Sequence, residues 1–116
     1  SYNSNTGSLA IDSSRGFPRN AVKPDFTAPG VEILGPLPRN RYGRKSGTSV
    51  SGAITAGIAA LMLEWGIVQK NDMQINMTRI KNYLIRGARR DPERIYPNRE
   101  WGYGKVDLYE TFLGIR

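Results

Sequence analysis

The sequence predicts an α/β chain in which short strands are packed by a buried central helix and further helices, and three observations predict it. Val50, Ile54, Ile58, Leu61, Met62 and Trp65 recur at steps of three and four, the spacing of one helical face. Met77, Ile80, Leu84 and Gly87 repeat that spacing further on. Before Ser46 the chain breaks instead into short extended pieces bounded by Pro and Gly, the punctuation of strands and turns.

Taken in order, the first 20 residues offer only Leu9, Ala10, Ile11 and Phe17 as apolar contacts. They predict a short strand around Ser8 to Ser13 and a loop from Arg15 to Val22. Lys23 to Gly30 holds a short extended segment between two prolines, and Pro29-Gly30 forces a turn. Val31 to Leu34 is a second extended piece, closed by Gly35, Pro36 and Pro38 and followed by a basic turn. From Thr48 the small residues Ser51, Gly52, Ala53, Ala56, Gly57, Ala59 and Ala60 fill the spaces between the apolar ones, and no charge appears until Glu64. A helix so nearly apolar all round is expected to be buried against other elements, with Gly66 placed to end it.

The second helix has Asn76 as its N-cap, and Arg86, Arg89 and Arg90 stand near the negative end of its dipole. Its amphipathic face is suited to covering a sheet. A Pro-containing loop from Asp91 to Asn98 follows. Gly102 to Val106 reads as a turn entering a short extended piece, and Asp107 to Phe112 as a terminal helix with Asp107 favourable at its start. Residues 1–116 show no internal repeat and no linker, so a single unit is expected.

Composition narrows the chemistry. With 39% hydrophobic and 23% charged residues, the chain is of the globular class and can bury a moderate core. It has no Cys and no His, which removes disulfides, thiolate sites, most imidazole metal sites and the usual general base. No metal and no cofactor are expected. No apolar run approaches the roughly 20 residues that span a bilayer, so no membrane partner is expected, and the opening SYNSNTGSLA lacks the regions of a signal peptide. Any targeting segment would lie outside this chain.

The formal charge is +7, with Arg86, Arg89, Arg90, Arg94 and Arg99 crowded into one span. Such a run is either a solvated face balanced by neighbours outside the chain or a patch that attracts nucleic acid or acidic protein. A basic nucleic-acid module centred on Arg79 to Arg99 would lack the aromatic stacking pattern and fold signature of its kind. No nucleic-acid partner is expected.

The stretch Ser46-Gly47-Thr48-Ser49-Val50-Ser51-Gly52 opens the central helix. One reading is a helix N-cap, for which Ser and Thr are preferred. The other is a nucleophile: N–H groups of a first turn lack intrahelical acceptors and point toward incoming negative charge. Gly47 would admit a substrate carbonyl closely, and Thr48 would add a hydroxyl donor.

Gly47-Thr48-Ser49, continued through Ala56-Gly57-Ile58-Ala59-Ala60-Leu61, resembles the nucleophile segment of the subtilisin-like serine peptidases, the subtilases. Lys23 to Val31 is similar to the family's strand and Ala-Pro-Gly turn, Ser13-Ser14-Arg15-Gly16 to its Ser-Ser-x-Gly, and Gly102-Tyr103-Gly104-Lys105-Val106-Asp107 to its closing Gly-x-Gly strand. Leu63 to Gly66 and Tyr96 to Gly104 further resemble the clostridial Csp-type members linked to spore germination. Four segments in the family's order cover nearly the whole chain.

The resemblance implies that residues 1–116 form the C-terminal portion of a three-layer subtilisin-like catalytic domain. Ser49 would be the acyl-enzyme nucleophile of a serine endopeptidase, Thr48 an oxyanion support, and Lys45, Ser46 and Val50 substrate-binding residues on the leaving-group side, where Arg44 and Lys45 would favour acidic residues. Family enzymes order their triad Asp, His, Ser. The base, its carboxylate and the oxyanion Asn are thus expected upstream, the isolated piece is expected to be inert, and protein or peptide is the expected substrate. Ala53 stands where many members have Pro, a change the first helical turn tolerates, and Val50 where Met is frequent. The partners implied are the upstream remainder of the domain and, for the isolated piece, another copy of itself through exposed edges. A secreted or spore-associated location rests on the resemblance alone. A pseudoprotease with a binding or regulatory role stays open within the same fold.

Overall fold

A computed structural model of the chain describes residues 1–16 and 23–115. Most of the loop expected from Arg15 to Val22, and Phe17 with it, lies outside the described residues. Strands β1 (Ile33–Leu37) and β2 (Arg41–Lys45) are followed by helices α1 (Thr48–Leu63), α2 (Met77–Gly87) and α3 (Leu108–Gly114), an α/β arrangement.

The hairpin is antiparallel, with Ile33 opposite Lys45 and Leu37 opposite Arg41. Here the structure corrects two expectations: the strand runs on through Gly35 and Pro36, and the basic residues before Ser46 form β2 instead of a turn. A two-stranded ribbon has only edges, where the missing N–H of Pro36 does no harm. Arg39 and Asn40, at φ 63° and 58°, reverse the chain in the left-handed region.

The other extended pieces are one bridge long. Leu9 lies opposite Tyr2, Tyr2 beside Pro29, Thr27 beside Lys105, and Lys105 opposite Arg89. The strand expected at Ser8 to Ser13 shrinks to the Leu9 bridge because the Ser13 N–H closes a turn onto the Ala10 carbonyl at 3.1 Å. The pieces at Thr27 and Lys105 are knitted by Thr27 N–H to Gly104 at 3.0 Å and Val106 N–H to Thr27 at 2.8 Å. Gly104, at φ 125°, packs where a Cβ would stand 2.5 Å from the Arg89 carbonyl oxygen.

Gly66 does not end the central helix. The chain continues through a π turn over Glu64–Val68, and Gly66 serves close packing instead, since a Cβ there would lie 2.8 Å from Ile75 Cγ2. The continuous helix Thr48–Val68 spans 21 residues. By length and composition it is able to cross a membrane, contrary to the expectation that no apolar run approaches that length; Glu64, read as a boundary, is a single charge within it. Burial also departs from expectation: only Ser51 and Met62 of α1 are buried, while Gly52, Ala53, Ala56, Gly57 and Ala60 are exposed.

Helix α2 begins where expected, with the Asn76 side chain accepting from Arg79 N–H at 2.9 Å, and α3 likewise, with Asp107 accepting from Glu110 N–H at 3.0 Å. Helix α3 runs two residues past the expected end at Phe112. The core gathers Ala28 and Val106 from the extended pieces with Met62, Ile75, Ile80 and Leu84 from the helical side. It therefore lies between the bridged pieces and the helices, and it anchors α1 at its C-terminal half.

Candidate functional site

The start of α1 is built by three segments that are far apart in sequence. Gly47 N–H donates to the Gly30 carbonyl at 2.8 Å, and Gly30 N–H to Tyr2 at 3.0 Å. Ser51, buried one turn into the helix, donates its hydroxyl to the carbonyls of Ala28 at 2.9 Å and Pro29 at 3.1 Å. The Ala28-Pro29-Gly30 turn thus holds the helix from beneath. Ser14 approaches from the third segment, its hydroxyl 3.4 Å from that of Thr48.

Gly47 is the N-cap, at φ 144° and ψ 162°, a conformation that L side chains rarely adopt. No side chain caps the helix and no acid stands in its first turn, so the first N–H groups carry the positive end of the dipole without a competing acceptor from a cap. Ser49 is exposed there. Its hydroxyl has no hydrogen-bond partner among the described residues, and the space over Gly47 is open beside it.

Ser49, Val50 and Ala53 form one wall of a cleft of about 330 Å³, and the hairpin forms the other through Ile33, Leu37 and Lys45. The cleft is mostly apolar, with Lys45 as its cation. Ser46 is used differently: its hydroxyl accepts from Glu32 N–H at 2.8 Å, while the Arg44 guanidinium donates to the Glu32 carbonyl at 3.2 Å. Both residues brace the base of the hairpin, with Glu32 itself at φ 54°. Sequence reasoning missed that hairpin wall; the alternation of Ile33, Gly35 and Leu37 against Arg41, Gly43 and Lys45 carried the signal.

The basic run is dispersed by the fold. Arg89 pairs with Asp107 at 3.0 Å and Arg94 with Asp91 at 3.3 Å. Arg94 also lies over Trp101 at 4.5 Å and Arg86 over Tyr83 at 5.4 Å, while Arg90 donates to the Ile85 carbonyl at 2.6 Å.

The helix start that exposes Ser49, the apolar cleft beside it and the Ala-Pro-Gly turn that pins it all lie within the part of the chain that known proteins match. The family model described as the subtilase family matches residues 1–104, and the chain belongs to that family. Its fold is similar to the structure of the Clostridium perfringens CspB protease, at 42% identity and a TM-score of 0.94, covering 99% of this chain and 25% of that one. The prenylagaramide maturation protease PagA matches at 29% identity and a TM-score of 0.63, over 77% of this chain and 32% of that one. Among curated proteins, the C5a peptidase of Streptococcus pyogenes serotype M18 is 34% identical over 92 residues, 74% of this chain. The membrane-bound transcription factor site-1 protease of Mus musculus is 34% identical over 78% of this chain. The chain spans 8% of the length of both.

Proposed function

We propose that residues 1–116 are the nucleophile-bearing C-terminal part of a serine endopeptidase domain, with Ser49 forming the acyl-enzyme. The observation that carries this reading is the exposed Ser49 hydroxyl at an uncapped helix start, opening onto the cleft of about 330 Å³. The Ser49 Oγ attacks the scissile carbonyl as a base removes its proton. The Ser49 N–H and the first-turn dipoles stabilise the developing oxyanion, and the Thr48 hydroxyl, which lies 3.4 Å from that of Ser14 and outside the cleft, supports it only after turning from Ser14. The amine leaves, and water releases the acyl group.

The base, its orienting carboxylate and a further oxyanion donor belong to the remainder of the domain, because the sequence offers no His. The isolated piece is accordingly inert toward peptides. Lys45 and Val50 receive the residue after the scissile bond, an apolar side chain or one that ends in an acid, and Ser46 contributes through its backbone. The same remainder covers the exposed small-residue face of α1, from Gly52 to Ala60, which explains an apolar helix left open here.

Hydrolysis of peptide substrates by the full-length protein, compared with its Ser49→Ala variant, tests the reading. Loss of at least about a thousandfold in the variant is expected. A folded parent with no activity of its own would favour the pseudoprotease reading instead.

A further inference from the structure

At the far end of α1, the π turn and the three helices line a second pocket of about 800 Å³, open to solvent on one side. Glu64 stands fifteen residues along the helix from Ser49, roughly 22 Å at about 1.5 Å per residue, so this cavity is separate from the cleft. π turns recur at functional sites, and this one turns Glu64 and Trp65 into the cavity wall. Trp65 meets Phe112 of α3 at 5.6 Å between ring centroids and Tyr83 of α2 at 6.4 Å, edge-on. Leu61 and Leu108 complete an apolar side.

The polar side has an unequal charge balance. Arg79 is committed: its guanidinium donates to Asp72 at 2.9 Å and to the Tyr83 hydroxyl at 3.2 Å, and Tyr83 in turn donates to Asp72 at 2.7 Å. Glu64 has no ion-pair partner among the described residues. Both of its carboxylate oxygens are met by one uncharged group, the Gln69 amide, at 3.1 and 2.9 Å. That contact comes from one neutral nitrogen, Gln69 Nε2, and a charged donor bonds a carboxylate more strongly than a neutral amide does.

We propose that this cavity binds a guanidinium or alkylammonium cation carried on a short apolar body, with Glu64 as counter-charge and the Trp65 and Phe112 rings supporting the apolar part. The size is that of a small-molecule site. The aromatic wall adds attraction for a cation beyond area burial, and an amphipathic stem suits a pocket apolar on one side and charged at the other.

Calorimetric titration of the full-length protein with N-acetyl-arginine methylamide tests the proposal, with the citrulline analogue as an uncharged match of the same shape. Saturable binding is expected, weakened about tenfold by the citrulline replacement and equally by Glu64→Gln. A peptide with an internal arginine distinguishes the sources: equal binding identifies a polypeptide side chain, and weaker binding a free small cation. The proposal is overturned by no saturation in the low millimolar range, by equal binding of the citrulline analogue, or by an unchanged affinity in Glu64→Gln. The ligand-side comparison holds even if a protein variant folds poorly.

Discussion

The Ser51 hydroxyl donates to the Ala28 carbonyl at 2.9 Å and so fastens the first turn of α1 to the Ala-Pro-Gly turn twenty-three residues upstream. Ser51→Ala leaves the Ala28 carbonyl with its other donor, Tyr2 N–H at 3.1 Å, so the loss is one net hydrogen bond. A cost of about 1 kcal/mol is expected, read from the denaturant midpoint of the full-length protein.

Gly30→Ala is the harsher test of the same corner. A Cβ at Gly30 collides with the Ser51 hydroxyl and comes within 2.8 Å of the Gly47 carbonyl oxygen. Because both neighbours are fixed, overpacking of about 3 kcal/mol is expected, and with it loss of Ser49 reactivity. A midpoint and reactivity equal to wild type would show that Gly30 is not needed to set the helix start.

Much of this corner was legible in the sequence, since Gly47, the Pro29-Gly30 turn and the apolar period from Val50 announce a turn and a helix through local chemistry. The two N-caps, Asn76 and Asp107, were legible for the same reason. The hairpin was not: Pro36 and Pro38 read as terminators, yet an edge strand has no use for the missing N–H. Gly66 was misread because its role is close contact with Ile75, a partner nine residues on that local rules do not see. The exposure of α1 was likewise hidden, because an apolar sequence states that a face needs covering and says nothing about which chain segment covers it.

Asp107 serves two partners, the Glu110 N–H at 3.0 Å and the Arg89 guanidinium at 3.0 Å. Arg89 is largely exposed, at 69% of its side chain, so solvent screens the pair and the cap dominates. Asp107→Ala is expected to cost about 1 kcal/mol, whereas Asp107→Asn, which keeps the cap, retains most of that. Thermal unfolding of the two variants checks the order; equal losses would assign the effect to the ion pair.

Asp72 predicts an acid limb. The Tyr83 hydroxyl, followed by the Arg79 guanidinium and Gln74 N–H, holds its carboxyl below the ordinary value of 3.8. The folded state therefore favours the carboxylate: the contribution is fully present above about pH 4, begins to fade as pH falls through the unfolded value, and is lost below the folded one. Asp72→Asn is expected to flatten the stability profile in that window, measured by urea midpoints across pH. An unchanged acid limb would mean the network does not couple to folding.

The exposed small-residue face of α1 predicts that the 116-residue chain, made alone, associates with itself. Sedimentation across micromolar concentrations is expected to show weight-average mass rising with concentration. A strictly monomeric species would contradict an uncovered face.

Site-mapped labelling of the full-length protein with a fluorophosphonate probes the central claim most directly, because only an activated serine at an oxyanion-stabilising helix start acquires the adduct. The account predicts one adduct, mapped by mass spectrometry to Ser49, absent from Ser49→Ala and absent from the isolated 116-residue chain. An adduct on a different serine, or stoichiometric labelling of the isolated chain, would contradict it.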